Sequence, residues 1–515
     1  MSRQPAGTEA VRSAAVRVLG RRAQVAIVAG VLAATFLAAL DATVVGTAMP
    51  TIVGQLGGLA LYPWVFSAYL LTGTTTIPLY GRLADLYGRK RVLLVSMGLF
   101  LAGSMLCGLA QSMLQLVIFR ALQGLGAGGI IPVTLTILGD LFPIEQRARL
   151  QGLTSAVWGA SAVAGPAVGG FLTDTLSWRW VFYVNLPFGL AALALLGLAF
   201  PEPVIRRPHR IDYAGALTLT LGLALVLLGL LDLEGGGEQR RLLALGSLVL
   251  GAALLGAFWW IERRAAEPVV PLPLLRQRLI GVVVLGSILI GAGMFGTTSY
   301  LPLFVQGVLG GTAMTAGGVI MPFAVAWSVA STLAGRVILR FSFRSSVLVG
   351  MAAMLAAALL LQAVPRSAGL AFPVTVAGLF GVGMGFSATA FIIAVQNAVG
   401  WEERGIATAL VGFARSIGGA VGVAALGMIL SAGLAARTGA LGNVPTTALL
   451  EPALRATLAQ DTLAALRVAL ADALGWVYFG ILTLVILAVG LVVWGFPRGE
   501  LVVSNTRRGS TNPAE

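Results

Sequence analysis

Gly81-Arg82-Leu83-Ala84-Asp85-Leu86-Tyr87-Gly88-Arg89-Lys90-Arg91 is a short charged run between two long, almost uncharged stretches, Leu59 to Tyr80 and Val92 to Phe119. An island of this kind reads as a tight turn joining two membrane helices. Its arginines and lysine hold the turn on the positive side of a bilayer, and its glycines let the flanking helices turn and approach closely.

Composition supports that reading. Hydrophobic residues make up 58% of the 515, charged residues 10%, and the mean hydropathy is +0.93. A soluble domain carries about 25% charge. Apolar stretches fall at 24–48, 61–81, 92–110, 113–139, 150–173, 181–200, 212–232, 242–262, 279–306, 316–340, 345–363, 370–397, 405–431 and 474–495. Each is long enough to cross a hydrocarbon core of about 30 Å as a helix, which predicts about 14 crossings. The residue-by-residue alternation of a membrane barrel strand is absent. The fold class expected is an all-α polytopic membrane protein.

The net charge of +14 does not point to nucleic acid, because the basic residues sit in short loops rather than on one soluble face. With the N-terminus in the cytoplasm, 25 of the 34 Lys and Arg fall in predicted cytoplasmic segments, which places both termini inside. The Arg-rich N-terminal tail precedes an apolar stretch too long for a signal peptide and without a convincing cleavage site, so a retained first helix is expected. Cys107 lies alone in an apolar span, which excludes disulfides. His209 sits in the basic loop Arg206 to Arg210 and reads as a solvated residue. Gly124-Leu125-Gly126-Ala127-Gly128-Gly129 fits the dinucleotide-binding glycine pattern. It has no strand before it and lies in an apolar helical run, so it reads as helix packing. Neither a metal-ligand cluster nor a catalytic triad nor a phosphate loop is present in the sequence, so no enzyme, no cofactor and no ATP-driven step are expected.

Two apolar stretches, 212–232 and 242–262, carry almost no interior polar residue and lie between two sets of six. They read as an inserted hairpin outside a transport path. The expected division is a cytoplasmic tail 1–22, a six-helix bundle 23–200, the inserted pair with its linkers 201–278, a second bundle 279–495 with a long outer loop 431–473, and a tail 496–515. Within that loop, Leu449 to Leu474 has apolar residues at helical spacing, consistent with an amphipathic helix on the outer membrane face or on the protein, or with disorder. Gly335-Arg336-Val337-Ile338-Leu339-Arg340 is a worn copy of the opening run, with Leu339 where Asp85 stands. Repeated six-helix halves are a common way to build a site that opens alternately to each side.

Charge inside hydrocarbon is expensive and therefore a functional hypothesis by default. Three residues qualify: Asp41, Arg120 and Arg415. Counting from Val25, Asp41 sits roughly 24 Å along the first helix, and Arg120 lies roughly 10 Å in from the outer end of the fourth. Both are then in the outer half of the membrane, at a depth where they can meet. Arg415 lies in a glycine-rich span (Gly412, Gly418, Gly419, Gly422), where a packing anchor and a functional charge both fit. With Asp41 ionised the three sum to +1, which favours neutral or weakly charged cargo at least as much as permanent cations. Small residues at Ser161, Gly165 and Gly169 form one smooth helix face, and Pro166 bends that helix. Tyr69, Trp158, Tyr300, Phe304, Trp327, Phe386, Gln396 and Asn397 are candidates to line a lipophilic cavity, and equally fit packing or lipid-facing positions.

The opening run Gly81 to Arg91 resembles the loop between helices 2 and 3 of the major facilitator superfamily of transporters. Leu40-Asp41-Ala42-Thr43-Val44-Val45-Gly46-Thr47-Ala48-Met49-Pro50 resembles the first-helix motif of its 14-helix drug:proton antiporters, with Gly46 where members often carry Asn. Arg120-Ala121-Leu122-Gln123-Gly124 is similar to the fourth-helix motif, and Ser161-Ala162-Val163-Ala164-Gly165-Pro166-Ala167-Val168-Gly169-Gly170 to the antiporter motif of helix 5. Trp178-Arg179-Trp180, Phe182, Asn185, Pro187 and Gly189 are similar to a signature at the start of helix 6. The resemblance implies the major facilitator fold, two six-helix bundles plus a two-helix central insertion. It also implies proton-coupled efflux of lipophilic drugs across a bacterial-type cytoplasmic membrane, with antibiotic resistance as a consequence. In that frame Asp41 and Arg120 couple protons, Gly81, Asp85, Gly88 and Arg89 gate the inner side, and Gly165, Pro166, Gly169 and Gly170 form the antiporter helix. The partners expected are a small lipophilic substrate, protons and membrane lipid, with no nucleic acid and a monomer as the working unit. Export of one endogenous metabolite, lipid or antibiotic remains an alternative, and an uptake symporter or a non-transport membrane protein a more distant one.

Overall fold

The computed structural model describes residues 20–142, 144–200, 212–232, 238–265, 268, 270, 272–363, 369–400, 403–438, 449–450, 455 and 457–497. Helices account for nearly all of them, and no strand occurs among the described residues. In hydrocarbon a backbone must satisfy its own polar groups, so long apolar runs become helices. Those of 15 residues or more are α1 (Arg21–Leu56), α2 (Tyr62–Tyr87), α3 (Arg89–Leu109), α4 (Met113–Leu141), α5 (Ile144–Thr175), α6 (Asn185–Ala199), α7 (Tyr213–Asp232), α8 (Glu238–Glu262), α9 (Arg278–Leu303), α10 (Ala313–Arg340), α11 (Phe343–Gln362), α12 (Ala371–Ala398), α13 (Arg404–Thr438) and α14 (Gln460–Gly495). Among the described residues, 12 helices are long and apolar enough to cross a membrane, and Ala214–Val226 adds a shorter apolar helix.

Punctuation follows the local chemistry. Gly88 alone separates α2 from α3 and adopts φ 99, a conformation that side chains disfavour. Pro50, Pro132, Pro166, Pro302 and Pro322 lie inside helices, where each removes a backbone donor. Just after Pro302, α9 loosens into a π-helical turn over Phe304–Val308.

The packing pattern repeats. In the first half α1 packs on α5 and α6, and α4 on α2 and α3. In the second half α9 packs on α13 and α14, and α12 on α10 and α11. The halves meet in a related pair of seams, α5 on α10 and α2 on α13. Helices α7 and α8 pack chiefly on each other, with lighter contact of α7 to α2 and α13. Only 11% of the most apolar window of α8 is buried, against 72% in α9, which makes the pair peripheral.

Polar contacts between the halves gather at the end of the bundle that holds the α1–α2 turn. There the Tyr62 hydroxyl donates to the Ser299 carbonyl, and Ser67 to the Ala420 carbonyl at 2.7 Å. Gln306, in the π turn, donates to the Thr47 carbonyl at 2.8 Å and accepts from Thr51 at 3.1 Å. At the opposite end, a Cβ added at Gly81 or Gly335, near the ends of α2 and α10, would meet no atom within 4 Å.

One boundary differs from the sequence reading. The amphipathic stretch before 474 is not a separate surface helix: from Gln460 onward it is the first part of α14. Leu466, Leu470 and Ala473 are buried on the face that continues through Val477, and Arg437 of α13 lies 3.6 Å from Asp472. That apolar face packs the start of the helix against the bundle. His209 and residues 1–19 and 498–515 of the tails lie outside the described residues.

Candidate functional site

Asp41, fully buried on α1, is the centre of the site. A carboxylate without water needs donors on both oxygens, or it is several kcal/mol out of balance. Helix α4 supplies two of them. Arg120 Nη1 donates to Asp41 Oδ2 at 2.9 Å, and one turn on, Gln123 Nε2 donates to Oδ1 at 2.8 Å. Asn185, at the start of α6, donates to the same Oδ1 at 2.9 Å and to Ser104 Oγ of α3 at 3.0 Å. Three helices, α1, α4 and α6, therefore meet at one carboxylate, and α3 is tied to them through Asn185.

Arg120 is sealed as tightly, at 2% exposure. Its Nη1 also donates to Gln123 Oε1 at 2.7 Å, and its Nε to the Val65 carbonyl at 3.4 Å. The Tyr69 ring lies 3.9 Å from the guanidinium carbon, within cation–π range. Cys107 sits in the same pocket with its sulfur 3.7 Å from Gln123 Oε1. The arrangement is a neutral, dry ion pair. Protonation of Asp41 would leave Arg120 as an uncompensated buried charge, so a proton taken up here has consequences for the surrounding helices.

Helix α5 packs on α1 beside this pair. A Cβ at Gly165 would collide with Thr43 of α1, and one at Gly169 with Thr47 and Val44. On its other side, Gly170 packs on Ala313 and Met314 of α10, and the Pro166 carbonyl occupies the space a Cβ at Gly317 would need. The helix read as an antiporter motif thus touches both halves, with glycines where the backbones come closest. At its end, Asp174 accepts from the Ala313 and Met314 amides at 3.1 and 2.8 Å, capping α10 across the seam.

The sequence-derived candidates divide. Asp41, Arg120 and Tyr69 come together. Gly81, Gly88 and Arg89 lie at the α2–α3 turn, and the side chain of Asp85 is outside the described residues. Trp158 is 38% exposed, while Trp327 stacks edge-on with Phe323 at 5.6 Å. Phe386 packs with Ala330 and Ala334. Tyr300 and Phe304 are buried in helix packing, Tyr300 donating to the Val423 carbonyl at 2.7 Å and Phe304 resting on Tyr478. Gln396 donates to Thr408 at 3.0 Å, tying α12 to α13, and Asn397 is partly exposed beside it. Arg415 is partly exposed on α13. Gln123, Asn185, Ser104 and Asp174 were not among the candidates, although Gln123 and Asn185 stand inside the quoted motifs. The Trp178-Arg179 signature is structural: Trp178 donates to Gln55 at 2.9 Å, and Arg179 caps the end of α3 through the Gly108 and Ala110 carbonyls at 2.7 Å each. The glycine-rich run of α4 packs on α2 through Gly124 and Gly128 and on α3 through Gly126. No group of side chains able to hold a metal occurs among the described residues.

The buried ion pair lies inside the first of two repeated halves of a helical bundle, an arrangement that suits a transporter. The family model described as Major Facilitator Superfamily matches residues 31–423, and the chain belongs to that superfamily of transporters, which are not enzymes. It is similar to the multidrug transporter protein MdtP of Bacillus subtilis, with 36% identity covering 79% of this chain and 75% of that one. It is also similar to multidrug resistance protein 3 of the same organism, with 34% identity covering 78% and 79%. An uncharacterized MFS-type transporter of Mycobacterium tuberculosis is 35% identical over 92% of this chain and 68% of its own. Among solved structures, a bacterial homolog of the human lysosomal transporter Spinster, in an inward-facing unoccupied conformation, aligns with a TM-score of 0.65. It is 17% identical and covers 92% of this chain and 97% of its own. A D-xylose–proton symporter aligns at 0.62 with 15% identity, covering 92% and 98%. At these identities the structures speak to the fold.

Proposed function

We propose that this transporter exports lipophilic small molecules across the cytoplasmic membrane in exchange for protons, by alternating access between two six-helix halves, 23–200 and 279–495. The inserted pair within 201–278 stays outside the transport path, and both termini face the cytoplasm. The single observation that carries the reading is the Asp41 network: a carboxylate in full burial, neutralised by Arg120 and held by three donor side chains. The multidrug relatives support the cargo class.

In this reading the end closed by Tyr62, Asp174 and Gln306 is the outer gate, and the end of Gly81 and Gly335 opens inward. Cargo enters from the cytoplasm or inner leaflet. As the outer gate parts, water reaches Asp41, a proton displaces the Arg120 contact, and cargo leaves. Return to the inward state strips that proton toward the cytoplasm and restores the ion pair. Gly81, Asp85, Gly88 and Arg89 close the inner side in the other half of the cycle, and the α5 glycines supply the surface on which the halves slide. One chain contains every part this cycle uses.

Drug susceptibility of a pump-deficient bacterial host expressing the chain tests the reading. Raised tolerance to several unrelated lipophilic compounds is expected, abolished by a protonophore. Unchanged tolerance across such a panel, with the protein present in the membrane, would overturn it.

A further inference from the structure

Arg120 has its counter-charge in place; Arg415 does not. Among the described residues no acid, acceptor or aromatic ring engages the Arg415 guanidinium. An arginine cannot shed its charge as a lysine can, so an unmatched one inside a bundle persists only where a counter-ion or water reaches it.

Its position is fixed by two glycines. Gly46 of α1 faces the Thr298 carbonyl of α9, and both helices then run on together to the Thr47, Thr51 and Gln306 contacts. Five residues back from Gly46 is Asp41; five back from Thr298 is Gly293. A Cβ at Gly291 would strike the Arg415 backbone. Arg415 is therefore within about one helical turn of the Asp41 level, but in the other half.

The orientation follows from α13. Val411, Ala414 and Gly418 are buried, whereas Gly412, Phe413, Ser416 and Ile417 are partly exposed. That open face is the one that, further along, meets α2 through Ala420 and Gly427. It looks into the space between the halves. Arg415 stands at its edge, partly exposed, while α14 packs against both α9 and α13.

We propose that Arg415 is a cargo-recognition residue for a single negative charge, so that the preferred substrates are lipophilic anions bearing a carboxylate or a comparable acidic group. The proposal rests on the export reading and names its substrate class. A planar guanidinium pairs a carboxylate through two parallel hydrogen bonds, and the desolvated surroundings strengthen them. With Asp41 and Arg120 neutralising each other, Arg415 carries the net charge that cargo meets. A permanent cation is repelled by it.

Purified protein in liposomes with an imposed pH gradient decides the matter. Three probes share one aromatic body: a carboxylate, its methyl ester, and a quaternary ammonium, each corrected for flux in protein-free liposomes. The wild type should take the carboxylate with the lowest KM. Arg415→Gln should raise the KM for the carboxylate roughly ten- to hundredfold, the range expected for losing a charge-assisted hydrogen bond, and leave the ester unchanged. Arg415→Lys should fall between the two. Transport of ester and ammonium by the wild type without the carboxylate would overturn the proposal, and so would an equal loss of all three probes in Arg415→Gln. Transport of none by the wild type would overturn the export reading itself, a distinguishable result. The wild-type preference stands as a test even where the variant is not recovered folded.

Discussion

Asp174→Ala should loosen the gate at the α1–α2 end of the bundle. The first amides of α10 have no partner within their own helix, and Asp174 accepts from two of them, Ala313 at 3.1 Å and Met314 at 2.8 Å, from the opposite half. Hydrogen bonds to a charged group contribute about 1.5–3 kcal/mol each when dry. Asp174 is exposed, so water replaces much of that on opening. An anion at an exposed helix N-terminus contributes about 0.3–1 kcal/mol. Taking about 1 kcal/mol for the latch, its removal shifts the closed-to-open ratio by roughly fivefold, from about 99:1 to about 95:5. Spin labels at Leu176 and Met314, 60% and 46% exposed on the two sides of the seam, report that ratio as a distance distribution. A longer-distance population should grow in Asp174→Ala, less in Asp174→Asn, which keeps an acceptor oxygen, and salt should shrink the difference between them. An unchanged distribution in a stably folded Asp174→Ala protein would refute the latch.

Gly165→Ala places a methyl group where Thr43 stands; overpacking of this kind costs about 1–3 kcal/mol, and transport in membrane vesicles should fall severalfold while protein levels in the membrane hold. Full transport by that variant would show that α1 and α5 do not pack this closely during the cycle. Asp85→Asn should change how often the inner mouth opens, read by cysteine labelling on both faces in a Cys107→Ser background; unchanged labelling with normal transport reduces the loop to a topology signal.

Much of this site was legible because membrane charge is conspicuous. Asp41 and Arg120 stand alone in apolar spans, and counting residues from each helix end sets them at one depth, where the structure joins them at 2.9 Å. Neutral polar residues give no such signal. In a helix a hydroxyl satisfies itself on the carbonyl one turn back, as Thr35 does on Val31 and Thr297 on Gly293, so Ser104 looked like many others. Asn185 was visible as part of a motif but not as a ligand of Asp41, because their pairing spans 144 positions. Asp174 shows the same limit: an exposed acid at a helix end is ordinary until its partner, 139 residues on, is known. The aromatic candidates fit cavity and packing positions equally in the sequence, and of them Tyr69 lies against Arg120. Tyr300 and Phe304 have the right chemistry for a cavity; Tyr300 stacks on Tyr62 across the contact between the halves at 5.7 Å and Phe304 rests on Tyr478, partners that depend on which helix face turns inward. The sequence reading left the stretch before 474 open to membrane face, protein or disorder, because an amphipathic pattern fixes a buried face without saying what covers it or whether the helix runs on into the next span, as it does from Gln460 to Gly495.

The most direct test of proton coupling pairs two variants. Asp41→Asn leaves Arg120 buried and unmatched, a cost of about 3–5 kcal/mol, so it should lower thermal stability in detergent. Adding Arg120→Gln removes the orphaned charge and should recover much of that stability. With the wild type, the Asp41→Asn protein and the double variant in liposomes carrying an internal pH dye, addition of an exported compound should drive counter-movement of protons through the wild type alone. Cargo-evoked proton flux in the folded double variant at the wild-type rate would contradict the assignment of coupling to Asp41 and Arg120.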